Sequence, residues 1–270
     1  MMLAVDIGVL EFLHSLADTA DSLAGDAWLS GSVPVSAKPD GSPVTATDLA
    51  VESALRDLVR QRYPADGFLG EEVGRTVGVS ERNWVVDGID GTAAFVAGRR
   101  EWSTLISIVD RHRVVAGIAS GPALGKRWSG ILGSGAEVIS HDGRRRRMEV
   151  SGRSELDGSR ISSWPPADLV PDRFRSSADC LARMSTPPTQ RPSWGAEVPN
   201  GAMLVAEGRI DAFVLFGGEV WDHAACSAIV IAAGGRWSDI DGDEGVKAGP
   251  GVYTNGHIHD AVLATLRGDS

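Results

Sequence analysis

A chain of 270 residues with 43% hydrophobic and 23% charged side chains has the length and apolar content for a large core, in one layered unit or two domains. Its 36 acidic against 26 basic side chains leave a net charge of −10, which excludes a general nucleic-acid or anionic-membrane surface because phosphate-rich partners need a basic footprint. A small phosphorylated substrate, its charge neutralised by a bound metal, stays open.

No apolar run has the length of a membrane span, and Met1 to Leu10 lacks the basic start of a signal peptide, so a cytoplasmic location is the default expectation. Cys180 and Cys226 have no metal-type spacing and read as free thiols, which excludes a zinc site built on cysteine. From Val9 to Trp28, Leu10, Leu13, Leu16 and Ala17 recur at helical spacing, predicting an amphipathic helix with His14 on its solvated face. The turn-rich stretch Lys38-Pro39-Asp40-Gly41-Ser42-Pro43 leads into Val44 to Asp48 and a second helix built on Val51, Leu55 and Leu58, with Thr47 or Asp48 as N-cap and an end before Pro64. Gly67 to Gly70 is a short apolar approach to Glu71 and Glu72. Such a pair is usually solvated, but here it precedes a strand that delivers carboxylates of its own.

That strand is Trp84-Val85-Val86, and Asp87 and Asp90 stand at its end. Two aspartates held close raise one another's pKa, so the pair needs a shared proton or a cation, and a hard divalent metal fits best. Gly88 and Gly91 permit a sharp turn, and Gly91 with Thr92 can aim amide N–H groups at an anion beside the cation. Adjoining cation and anion sites are the layout of metal-assisted phosphoryl chemistry. The plainer reading of the same residues is a surface turn.

Ala93 to Ala97 predicts a turn or two of helix closed by Gly98, followed by a hairpin of Thr104 to Val109 and Val114 to Ser120 joined through Asp110-Arg111-His112-Arg113. Trp128 to Leu132 is another strand, ended by Gly133 and Gly135, and Arg144 to Arg147 reads as a solvated strand face or turn between strands. From Ser151 to Pro199 the pattern weakens among Pro165, Pro166, Pro171, Pro187, Pro188 and Pro192. This suggests a boundary between a mixed α+β domain, 1–150, and an α/β domain, 151–270. Helical patterning resumes over Gly201 to Gly208, then a strand over Ile210 to Phe216. Glu219-Val220-Trp221-Asp222 opens a helix that Gly234-Gly235 stops. Asp222 at its start sits where the macrodipole favours a carboxylate, and capping is the plainer role. Thr254-Asn255-Gly256 is a turn before a short helix ending near Leu266.

Gly70-Glu71-Glu72, Asp87-Gly88-Ile89-Asp90-Gly91-Thr92 and Trp221-Asp222-His223-Ala224-Ala225 resemble, in order and spacing, the GEE, DPIDGT and WDxAA motifs of the inositol monophosphatase superfamily. Val44-Thr45-Ala46-Thr47-Asp48 is similar to its VTxxD segment. Lys38-Pro39-Asp40, Arg127-Trp128 and Thr254-Asn255-Gly256 look most like the bacterial histidinol-phosphate phosphatase branch. The resemblance implies an α/β fold, a layered α-β-α-β-α sandwich of the sugar-phosphatase type, and Mg2+-dependent hydrolysis of a phosphate monoester with two or three Mg2+ per site in a homodimer. It places Glu71, Asp87 and the Ile89 carbonyl on a first metal, and Asp87, Asp90 and Asp222 on a second. Thr92, hydrogen-bonded to Asp48, would position the attacking water together with Glu71, and the Gly91 and Thr92 amides would hold the phosphate. The first domain then supplies most of the ligands, and the second Asp222 and the substrate-reading residues.

The sequence departs from the pattern at Gly88, where the motif has Pro, and at Ala93 and Ala94, where longer polar residues are usual. Leu215 stands where relatives commonly carry an acidic substrate-reading residue, and Glu219 is its candidate substitute if Gly217-Gly218 folds the loop inward. Histidinol phosphate is the first expected substrate, inositol monophosphate or another sugar or polyol phosphate the second. A non-catalytic regulatory protein of the same fold is the reading from another class, which Glu71, Asp87, Asp90, Thr92 and Asp222 together argue against.

Overall fold

The computed structural model describes residues 7–31, 33–39, 41–165, 169–184 and 197–268; Asp40, Pro166, Pro187, Pro188 and Pro192 lie outside the described residues. Helix α1 (Ile7–Ser30) and helix α2 (Ala46–Arg62) flank a small hairpin of β1 (Val35–Ala37) and β2 (Pro43–Thr45). The main sheet is built from β3 (Gly67–Gly70), β4 (Gly74–Thr76), β5 (Arg82–Asp90), β6 (Ser103–Asp110), β7 (Arg113–Gly121), β8 (Lys126–Ile131), β9 (Gly135–Ser140) and β10 (Arg145–Met148). Their order is β10-β9-β8-β7-β6-β5-β3-β4, antiparallel except where β3 runs parallel to β5. A second sheet, β11 (Ile161–Trp164), β12 (Ala212–Leu215), β13 (Arg236–Asp239) and β14 (Gly251–Thr254), has the order β11-β12-β14-β13.

Three apolar interfaces stack these elements. Leu13, Leu16 and Ala17 of α1 and Val51 and Leu55 of α2 bury against Trp84, Val86, Ile106 and Ile118 on one face of the main sheet. On its other face, Leu105, Ala119 and Trp128 meet Met203 of α5 (Gly201–Ala206) and Cys226 and Ile229 of α6 (Val220–Ala232), which also contact Phe213 and Tyr253 of the second sheet. The far face of that sheet, with Val214 and Val252, is closed by α4 (Asp172–Met184) and α7 (His259–Arg267). The result is the α-β-α-β-α sandwich. Helix α6 lies directly on the strand backbones: a Cβ on Gly117 would sit 2.5 Å from the Ala225 carbonyl oxygen, and one on Gly130 2.5 Å from the Ile229 Cα. Only glycine admits this approach.

Several expectations are corrected. Helix α2 starts at Ala46 and is capped by Thr45, in extended conformation at the end of β2, so Asp48 occupies the third helical position rather than the cap. Helix α6 likewise starts at Val220 with Glu219 as N-cap, and Asp222 is again third. His14 is half-buried beside Arg127 rather than solvated, and burial lowers its pKa. The proline-rich stretch contains β11 and α4, because β11 gains its partner from β12 far along the chain. The four arginines are solvated as expected, Arg145 to Arg147 on edge strand β10 and Arg144 just before it, and each faces an acid: Arg144 with Asp142, Arg145 with Glu137, Arg146 with Glu207, Arg147 with Glu149. A charged edge discourages strand addition. Both cysteines are free, and among the described residues no helix is long and apolar enough to cross a membrane.

Candidate active site

Strand β5 alternates across the main sheet, with Trp84 and Val86 facing α1 and α2, and Val85 packing on Ala224 and Ala228 of α6. Asp87 has Val85's parity and so faces α6. In a regular strand Asp90, three residues on, would point the other way. The register prevents this: Asp87 pairs with Leu105 and Asp90 with Ser103, three steps on β5 against two on β6. This bulge returns Asp90 to the side of Asp87. Ile89 N–H donates to Asp87 Oδ1 at 2.9 Å and Thr104 Oγ1 donates to the Gly88 carbonyl at 2.8 Å, fixing the bulge. Asp222 arrives from the first turn of α6, and each of Asp87, Asp90 and Asp222 offers a carboxylate oxygen within 4.8 Å of the others.

Asp87 is only 2% exposed, and burial pushes its carboxyl well above the usual carboxylate range, with the charges of Glu71, Asp90 and Asp222 acting the same way. Burial also raises Glu71 and Asp222, the first opposed by the Lys38 ammonium and the second by the Glu219 N–H. A carboxylate set this dense stays ionised only with a cation among its oxygens. Cys226, close enough to feel these charges, is buried and its thiol is held protonated. The donors are therefore oxygens, the set a hard divalent ion such as Mg2+ takes. Glu71 lies at the edge of the group, with Lys38 Nζ 2.6 Å from its Oε1 and in contact with Glu72 as well.

Asp48 serves two groups. Its Oδ2 accepts from Thr45 N–H at 2.9 Å and from the Thr45 hydroxyl in a capping box, while Oδ1 lies 3.3 Å from Thr92 Oγ1. The Thr92 hydroxyl is also 3.1 Å from the Ile89 carbonyl, and its single hydrogen serves one of the two at a time. Gly91, at φ +87°, lets the chain turn from β5 into α3 (Thr92–Val96). Leu215 is half-buried and packs against the apolar cluster between the sheets. Glu219 is exposed, its N–H donates to Asp222 Oδ2 at 2.7 Å, and its charge contributes to the raised pKa of Asp222.

Three residues escaped the sequence reading. Glu52 is fully buried on α2 behind the segments that carry Glu71 and Asp87, and burial pushes its pKa up to about 7. An acid three residues before Leu55 and seven before Val59, within the buried stripe, was the available signal. Lys38 enters the sequence reading as part of a turn and of a branch-like segment, without its pairing to Glu71 and Glu72. His223, buried after Asp222, has Nε2 at 2.8 Å from the Gly249 carbonyl and 3.1 Å from that of Gly217, so Nε2 carries the hydrogen and Nδ1 accepts from the Tyr253 hydroxyl at 2.7 Å. It ties the Gly217–Glu219 loop to the segment before β14.

The model of the "Inositol monophosphatase family" matches residues 9–269. The chain is 37% identical over 257 residues to a histidinol-phosphatase of Mycobacterium tuberculosis, covering 93% of this chain and 95% of that protein. It is 34% identical over 269 residues to a protein of Streptomyces griseus named glucose-1-phosphate thymidylyltransferase, covering 94% of each. Among solved structures, an IMPase of Thermotoga maritima superimposes with a TM-score of 0.79 at 26% identity, covering 97% of this chain and 98% of that one. The chain thus belongs to the inositol monophosphatase family, whose members are Mg2+-dependent, and is a phosphoric monoester hydrolase.

Proposed function

We propose that the Asp87–Asp90–Asp222 cluster is the hydrolytic centre and that its substrate is a small alcohol phosphate, histidinol phosphate first. Glu71, Asp87 and the Ile89 carbonyl would hold one Mg2+, and Asp87, Asp90 and Asp222 another; Mg2+, when bound, neutralises phosphate charge and eases deprotonation of water. Thr92 orients the attacking water through its hydroxyl, and Asp48 fixes that hydroxyl by accepting its hydrogen. Glu71 takes up the proton, and the Gly91 and Thr92 amides hold the phosphate oxygens. The observation that carries the substrate is Glu219, an exposed carboxylate whose own backbone is bonded to Asp222. An exposed carboxylate beside the site gives the ammonium of histidinol phosphate an ion-pair partner that an uncharged polyol does not use.

A second reading, a sugar or polyol phosphate, is favoured by Leu215, which gives a cation nothing to bind, and by the relative named for glucose 1-phosphate. Kinetics on both substrates decide. Glu219→Gln is expected to weaken histidinol phosphate use while sparing inositol monophosphate. If wild-type protein cleaves polyol phosphates well and histidinol phosphate hardly at all, the second reading stands.

A further inference from the structure

Glu52 is a carboxylate with no solvent exposure whose partners are all backbone amides of the two loops that carry acidic residues into the site. Its Oε2 accepts from Glu72 N–H at 2.8 Å and Val73 N–H at 3.0 Å, the two residues after Glu71. Its Oε1 accepts from Gly88 N–H at 3.2 Å, the residue after Asp87. One side chain therefore holds both loops against α2, the helix that also presents Asp48. Charge-assisted bonds from amides to a carboxylate are stronger than neutral ones, and in a dry site their geometry is correspondingly fixed.

Gly70 at the end of β3 and Gly88 in the β5 bulge make room for it. A Cβ on Gly70 would lie 2.4 Å from Glu52 Oε2, and one on Gly88 3.0 Å from Glu52 Cγ. The third bond belongs to this chain in particular, because the proline of the resembled motif would have no N–H to give where Gly88 stands. We infer that Glu52 is a positioning residue, one that touches neither metal nor substrate but sets the spacing of Glu71 from Asp87 and so the affinity for divalent cations. This inference rests on the reading of Glu71 and Asp87 as metal ligands.

The test is Mn2+ binding to the metal-free full-length protein, followed by calorimetry and by electron paramagnetic resonance, with the melting temperature measured in parallel. Glu52→Gln keeps the shape but sets an amide NH2 against one of the backbone donors, and is expected to raise the Mn2+ Kd at least tenfold at a temperature well below the variant's own Tm. Gly70→Ala, which drives a methyl group into Glu52 Oε2 without altering Glu52, is expected to weaken Mn2+ binding as well. The double variant should bind no more weakly than the weaker single one, because both act on one carboxylate. A Mn2+ Kd within twofold of wild type in Glu52→Gln, with only the Tm lowered, would make Glu52 a stabilising residue and overturn the inference; if that variant does not fold, the same result in Gly70→Ala overturns it. If Asp87→Asn binds Mn2+ as wild type does, the reading of the site fails first and takes this inference with it.

Discussion

Asp48 shows how one side chain meets two demands, since one oxygen closes the start of α2 and the other faces Thr92. The two roles separate experimentally. If Thr92 orients the attacking water as proposed, Thr92→Ala is expected to lower kcat far more than it raises KM, because the lost interaction acts in the transition state. Asp48→Ala should do the same and also cost about 1 kcal/mol of stability through the lost capping-box bond from Thr45 N–H, read as a lower Tm. His259, buried on α7, gives a pH prediction away from the site. The Ser238 hydroxyl donates to the Asp239 carbonyl, so it accepts from His259 Nε2–H at 2.9 Å, and Thr254 Oγ1 donates to Nδ1 at 2.9 Å. Burial, then the charge of Arg236, lowers the His259 pKa to about 4 from 6.5. The unfolded chain takes up the proton first as pH falls, so stability present above about pH 6.5 is lost progressively down to about 4. At 1.36 kcal/mol per pKa unit this amounts to about 3 kcal/mol. Urea midpoints of wild type and His259→Gln across that range should converge on acidification; parallel curves would show that His259 keeps its ordinary pKa.

At the scale of elements, the site depends on how closely α6 approaches the main sheet, for Asp87 and Asp90 ride on β5 and Asp222 on α6. Gly117 and Gly130 set that approach. Gly130→Ala pushes a methyl group into the α6 backbone at Ile229 Cα, and overpacking of this kind typically costs about 1–3 kcal/mol. The displacement also moves Asp222 off the other carboxylates, so the expected result is a lower Tm together with a several-fold weaker Mg2+ requirement curve. A lowered Tm with unchanged Mg2+ dependence would mean that α6 relaxes without carrying its first turn along.

For the molecule as a whole, ligand binding and stability are linked through the carboxylates. An ion that binds only the folded state stabilises it by RT ln(1 + [L]/Kd), about 2.7 kcal/mol at a hundredfold excess over Kd. Wild-type protein should therefore melt higher in Mg2+ than in chelator and be inactive in the latter. Asp87→Asn should lose nearly all turnover and the Mg2+-induced rise. Its metal-free form should melt above metal-free wild type, because Asn is neutral without the proton that burial and the charges of Glu71, Asp90 and Asp222 force Asp87 to take up on folding. Full activity in excess chelator would refute the metal-dependent centre.

The sequence alone determined the helices α1, α2 and α6, the strand of Trp84 to Val86 and the acidic motifs, because apolar periodicity and turn residues are local properties. Periodicity also placed Leu13, Leu16, Val51 and Leu55 in the core. It could not show the bulge that turns Asp90 back beside Asp87, since register is settled by the partner strand β6. Nor could it separate Glu52 from the other acids of α2: its meaning comes from amides twenty and thirty-six residues away that only the folded chain brings to it. Strand β11 was hidden for the same reason, its ladder being completed by β12 some fifty residues later. The first turn of α6, which sets Glu219 beside Asp222, is likewise a local property; what depends on distant backbone meeting in space, such as the placement of Leu215 among apolar side chains, was decided by the tertiary packing.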